Sequence, residues 1–157
     1  MINKTRFYRE LLPLTEAIIR DEADIIANMA NISALLFERM PNVNWVGFYR
    51  LIEEELVLGP FQGKVACIRI PIGKGVCGTC VSSGEIQRIG DVHQFDGHIA
   101  CDASSNAELV FPIRDAGNII GVLDIDSTLR DRFTIEDEQG VKLIVAALEH
   151  NIARHKS

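Results

Sequence analysis

Residues 108–126 read ELVFPIRDAGNIIGVLDID. Two runs of β-branched and apolar residues, 108–113 and 118–126, flank Asp115-Ala116-Gly117, a pattern that predicts a β-hairpin. So short a connection implies antiparallel pairing, because parallel strands need a long crossover. Asp124 and Asp126 stand two apart in a strand otherwise made of core residues, so alternation puts both carboxylates on one face. Glu108 opens the partner strand. A loop with an odd residue count brings its side chain to the face of the two aspartates, and an even count sends it to the other side. Three converging carboxylates repel, so at least one keeps its proton near neutrality. The plain alternative is a solvent-facing edge, where acidic residues are common.

Working outward, residues 45–51 are strand-like, with Trp45 and Tyr49 among them, and Glu53-Glu54-Glu55 reads as a turn. Short strands are expected at 56–58, 66–71 and 86–91, followed by a long polar loop over 92–106. Both ends carry helical periodicity. Phe7, Leu11, Leu14 and Ile18 mark one face, although Pro13 is expected to kink or interrupt it. Asp24 can cap a second helix with Ile25, Met29, Ile32, Leu36 and Met40 on one side, ended by Pro41-Asn42. Thr134 with Asp137 forms a capping-box variant ahead of Val141, Ile144, Val145, Leu148 and Ile152. Helices at both ends of an antiparallel meander read as α+β, with the helices on one side of a central sheet.

The chain has 157 residues, 47% of them hydrophobic, which fits one domain over 1–157. Sixteen Lys+Arg against 22 Asp+Glu leave a net charge of −6, the wrong sign for a generic binder of nucleic acid or anionic membrane. No apolar run approaches the ~20 residues that cross a bilayer. MINKTRFYRELL carries charges where a signal peptide needs an apolar stretch. Four cysteines without an export signal imply reduced thiols in a cytoplasmic protein.

Those thiols are Cys67, Cys77, Cys80 and Cys101. Free cysteine is usually core filler. Cys67, in Ala66-Cys67-Ile68, reads as part of an apolar strand and inert by itself. Cys77 lies where a short helix begins, and the positive end of that helix favours a thiolate. Cys101 sits in a polar loop open to substrate. Local chemistry nominates Cys77 or Cys101 as nucleophile and does not choose between them. Cys77-Gly78-Thr79-Cys80 is a C-x-x-C without the βαβ context of a thioredoxin-like motif. With His93, His98 or Cys101 it has spacing that zinc accepts. The segment 59–65 imitates a phosphate loop, but its glycines are too close and no Ser/Thr follows the lysine. Gly73-Lys74-Gly75 could expose backbone N–H groups to an anion such as a ligand carboxylate, but reads first as a plain turn.

Three stretches, GPFQGKVACIRIPIGKGVCGTC (59–80), DVHQFDGHIACDASSNAELVFPI (91–113) and GVLDIDS (121–127), together resemble the free methionine-(R)-sulfoxide reductases, a family built on a GAF domain. The resemblance runs over nearly the whole chain. It implies a GAF-like α+β domain that reduces free L-methionine-(R)-sulfoxide. It also implies Cys101 as the nucleophile, Cys67 as the thiol that resolves the sulfenic acid, and Cys77 as a third cysteine that assists recycling. Glu108, Asp124 and Asp126 match pocket acids, and Trp45 with Tyr49 matches an aromatic wall. Protonation of the sulfoxide oxygen suits Glu108 and Asp126, and an ionised Asp124 suits the substrate ammonium. Thioredoxin as reductant and a homodimer are further implications, with no cofactor and no metal. Cys80 falls outside the pattern. A ligand sensor without turnover and a zinc-stabilised binding protein are the competing readings.

Overall fold

The computed structural model describes residues 2–99, 101 and 103–156. Ala100 and Asp102, which flank Cys101 in the motif quoted above, lie outside the described residues. Six antiparallel strands form one sheet: β1 (Trp45–Ile52), β2 (Glu55–Gly63), β3 (Arg69–Pro71), β4 (Gln87–Ile89), β5 (Ala107–Asp115) and β6 (Asn118–Ser127). Their order across the sheet is β3-β2-β1-β6-β5-β4. A simple meander would put β3 beside β4. Instead β1 pairs with β6, and the chain between β3 and β4 must travel from one edge to the other. Helix α3 (Gly75–Ser83) lies on that path and packs on β5 and β6.

Helices α1 (Lys4–Ile19), α2 (Ile25–Arg39) and α4 (Ile135–Arg154) belong to the opposite face. Strand alternation separates the two layers. Phe48 pairs with Leu123, which pairs with Phe111, and this row turns to the helices together with Val46, Leu109 and Ile125. Each such side chain, fully buried, contributes roughly 1.5–3 kcal/mol. The neighbouring rows, Trp45–Asp126–Glu108 and Gly47–Asp124–Val110, turn to the α3 side.

The expected caps form. The Asp24 side chain accepts from the Ala27 amide at 2.9 Å, and Thr134 and Asp137 make a reciprocal capping box on α4. Several expectations need correcting. Pro13 lies inside an unbroken α1, because it and Arg9, whose carbonyl loses its partner, both face solvent. The buried stripe of that helix is Tyr8, Leu11, Thr15 and Ile19, with Leu14 and Ile18 about 40% exposed. The stripe is rotated because Tyr8 donates to the buried Asp137 of α4 at 2.7 Å. Strand β2 runs on through Gly63, so the imitation phosphate loop is largely β-sheet. Cys67 lies in the loop ahead of the three-residue β3, half-buried and outside any strand.

The β5–β6 hairpin turns on two residues, Ala116 and Gly117, both at positive φ (52° and 84°). An even turn would send Glu108 to the helix face. A bulge between the pairs Arg114↔Ile119 and Ile113↔Gly121 leaves Ile120 unpaired, and that extra residue brings Glu108 opposite Asp126. The Glu149 carboxylate of α4 accepts the Arg114 amide there at 2.6 Å.

Candidate active site

Four elements meet over the middle of the sheet. β1 supplies Trp45 and Tyr49, β5 supplies Glu108, β6 supplies Asp124 and Asp126, and α3 supplies Cys77; all six line one cavity, with Cys101 on its rim-forming loop. Cys67 is joined to Cys101 by a disulfide, with Cα atoms 5.4 Å apart across a sequence separation of 34. Cys77 and Cys80 are free and buried. The structure thus brings together all eight side chains singled out above.

Each wall has a local cause. Gly47 lies opposite Asp124, and a Cβ there would come within 2.6 Å of the Trp45 ring, so glycine is what lets the indole lie across the strand. The indole stacks on Phe61 at 5.2 Å and on Tyr49 at 5.9 Å. The polar tips of both aromatics grip the loop that carries Cys67: Trp45 Nε1 donates to the Lys64 carbonyl at 3.1 Å, and the Tyr49 hydroxyl to the Cys67 carbonyl at 2.9 Å. On the other side, the 92–106 loop is closed at its base by the Val92 amide donating to the Asn106 carbonyl at 2.8 Å. Its inner part rests on α3, where the Gly75 amide donates to the Gly97 carbonyl at 3.2 Å.

Electrostatics follow from burial. Glu108 and Asp124 are 8% and 5% exposed, and their carboxyls and Asp126 share hydrogen bonds with one another. Desolvation first, and then the charge of Asp124, hold the Glu108 proton well above the usual carboxylate range. Desolvation and then Asp126 do the same for Asp124. The Cys77 thiol donates to Glu108 Oε2 at 3.8 Å. Burial, followed by Asp124 and Glu108, pushes that thiol well up, which reverses the expectation of a thiolate at a helix start. A helix terminus is worth roughly 0.3–1 kcal/mol, whereas burying a charge beside two carboxyls costs several. Burial likewise raises the Cys80 thiol to about 12.

The zinc reading built on C-x-x-C and the histidines does not assemble. Cys80 turns to the Val110 carbonyl, and His93 Nε2 lies 2.9 Å from the Asn106 side-chain oxygen. Among the described residues, the cysteine, histidine and carboxylate atoms that do converge are those of Cys77, Glu108 and Asp124. Sequence reasoning missed Ser105 and Ile99 in the lining, and it set Lys74 aside as part of a turn. Ser105 is buried and accepts from Asn44 Nδ2 at 3.1 Å. Nothing local distinguishes it from the serines around it.

A GAF domain model matches residues 15–152. Free methionine-R-sulfoxide reductase of Escherichia coli is 57% identical over 152 residues, covering 97% of this chain and 92% of that protein. The Staphylococcus aureus fRMsr structure in complex with substrate superposes with a TM-score of 0.90 at 51% identity, covering 93% of this chain and 95% of that one. The free methionine-R-sulfoxide reductase of Neisseria meningitidis, solved in complex with its substrate, gives a TM-score of 0.93 at 41% identity and covers 98% and 94%.

Proposed function

The chain belongs to the free methionine-R-sulfoxide reductases of the GAF-domain family, and from that membership we propose how its own residues carry the reduction of free L-methionine-(R)-sulfoxide to methionine. The observation that carries the reading is the Cys67–Cys101 disulfide standing over a buried, proton-holding acid cluster.

A sulfoxide sulfur is a poor electrophile until its oxygen is protonated. Glu108, with Asp126 beside it in the same row, donates that proton. Cys101 attacks the sulfur as thiolate, two electrons pass to the substrate sulfur, and the oxygen ends on Cys101 as a sulfenic acid. Methionine leaves. The Cys67 thiol then attacks the sulfenic sulfur, forming the disulfide and releasing water. An external dithiol of the thioredoxin type returns both cysteines to thiols, with Cys77 assisting. Trp45 and Tyr49 wall the apolar part of the substrate. Asp124 faces the ammonium of the free amino acid, and an ammonium beside it restores the carboxylate that burial had suppressed.

The same reading takes residues 1–157 as one catalytic domain working in the cytoplasm. No helix among the described residues is long and apolar enough to cross a membrane. It also includes a homodimer, for which exposed Leu14, Ile18 and Leu143 on α1 and α4 offer apolar surface.

Single-turnover assays with free L-methionine-(R)-sulfoxide test the thiol roles. Cys101→Ser should release no methionine. Cys67→Ser should release about one per site and then stall. Sustained turnover by Cys101→Ser would remove the nucleophile assignment.

A further inference from the structure

The convergence of Cys77, Glu108 and Asp124 has a use beyond acid catalysis. One ligand atom from each lies within 4.8 Å of the others. Zinc holds thiolate sulfur at roughly 2.3 Å and carboxylate oxygen at roughly 2.0–2.2 Å, so a tetrahedral site separates the two by about 3.5 Å. The Cys77 sulfur and Glu108 Oε2 are 3.8 Å apart. A second observation points to a ligand independently. Asp124 is 5% exposed, and its Oδ1 is buried and takes no hydrogen bond from any amide, hydroxyl or other donor outside this cluster. Such an atom is costly unless a donor or a cation meets it. The cavity it lines is about 40 Å³, room for an ion and a water or two.

We infer that Cys77, Glu108 and Asp124 form a binding site for a thiophilic divalent cation of the zinc class, set in the floor of the pocket. One sulfur and two carboxylates suit zinc, cadmium or cobalt, whereas magnesium and calcium avoid thiolate. The three ligands come from a helix and two central strands, so the geometry is held by the scaffold rather than by a loop. Cys67 and Cys101 take no part, so the site exists with the disulfide formed and with it reduced. The ion would be an inhibitory ligand and not a cofactor. That consequence rests on the reductase reading, since the ion occupies the carboxylates which that reading assigns to the sulfoxide and the ammonium. The binding itself does not depend on it.

Cadmium and cobalt(II) are the probes, added to the disulfide form of the full chain. Thiolate-to-cadmium charge-transfer absorbance and tetrahedral cobalt bands should saturate at one ion per chain with the intensity of one thiolate. The signal should persist in Cys80→Ser and in the Cys67→Ser/Cys101→Ser double variant. It should vanish in Cys77→Ser and weaken at least tenfold in Glu108→Gln, which keeps the fold testable if the serine variant fails to fold. Absence of the bands in the disulfide form overturns the inference. So does full signal in Cys77→Ser, or binding that appears only on reduction and is lost in the double variant. A chain that binds cadmium as described yet reduces no sulfoxide would refute the proposed function and leave this site standing.

Discussion

Glu108 is the residue on which the proposed chemistry turns. It is buried against Cys77, Asp124 and Asp126, and desolvation keeps it protonated above the range where carboxylates ordinarily ionise. A glutamine of the same shape fills the space and has no proton to give. Glu108→Gln should therefore slow single-turnover methionine release by roughly 10²–10⁴-fold while changing substrate affinity far less. The pH profile separates proton donation from packing. The wild-type step should hold through neutrality and fall as pH rises through the elevated Glu108 value. That alkaline limb should be missing from Glu108→Gln; its survival would assign the proton to another group. The neighbouring Cys77 shows the limit of local reasoning, since its position in the first turn of α3 argues for a thiolate and its burial decides against one.

At the scale of an element, the loop between β2 and β3 is what presents Cys67. Val65 is 89% exposed and Ile68 is 67% exposed, so little apolar burial holds this loop in place. Two hydrogen bonds from Trp45 and Tyr49 on β1 anchor it, beside the Leu58 amide that donates to the Ile68 carbonyl at 2.8 Å and the disulfide to Cys101. Tyr49→Phe removes one anchor and keeps the ring. The first methionine should still be released at nearly the wild-type rate, but closure of the disulfide should slow by about fivefold or more. The sulfenic acid on Cys101 should then accumulate, which a sulfenate-specific trapping reagent followed by mass spectrometry would detect. Unchanged disulfide closure would leave Tyr49 as a wall only. The β5–β6 hairpin is the element where counting residues met its limit. Its turn is even, and the odd residue that sets the face of Glu108 is absorbed at Ile120 in mid-strand. The core residues of both strands enforce that register, because slipping by one would expose Leu109, Phe111, Leu123 and Ile125 together.

For the whole molecule, the first and last helices are tied by one buried carboxylate. Asp137 accepts from Lys4 Nζ at 2.6 Å, from Tyr8 at 2.7 Å, from the Thr134 amide at 2.9 Å and from Arg132 at 3.2 Å. Burial pushes its proton affinity up, but the Lys4 bond and these other donors outweigh it and leave the carboxyl below its ordinary value. A group depressed in the folded state contributes stability above its unfolded value, near 3.9, and loses it as pH falls through the folded one. Asp137→Asn should cost about 3 kcal/mol near neutrality, lowering Tm by roughly 10 °C. The difference should shrink on acidification below about pH 4. Thermal melts across pH read this directly. Catalysis per folded molecule should be unchanged, because Asp137 lies on the helix side of the sheet, away from the pocket.

What the chain's order of residues settled alone was local and periodic. Alternation at Asp124 and Asp126 assigned them a common face, the caps at Asp24 and Thr134 started two helices, and the stripe from Val141 to Leu148 marked the inner side of α4. Such signals survive in a single sequence because backbone geometry repeats every 2 or 3.6 residues. Tertiary structure decided the pairing of β1 with β6, the bulge at Ile120, the meeting of Cys67 with Cys101 and the protonation of Cys77. Each of these depends on which distant groups exclude water from one another, and desolvation is a property of the packed volume that no window of neighbours contains.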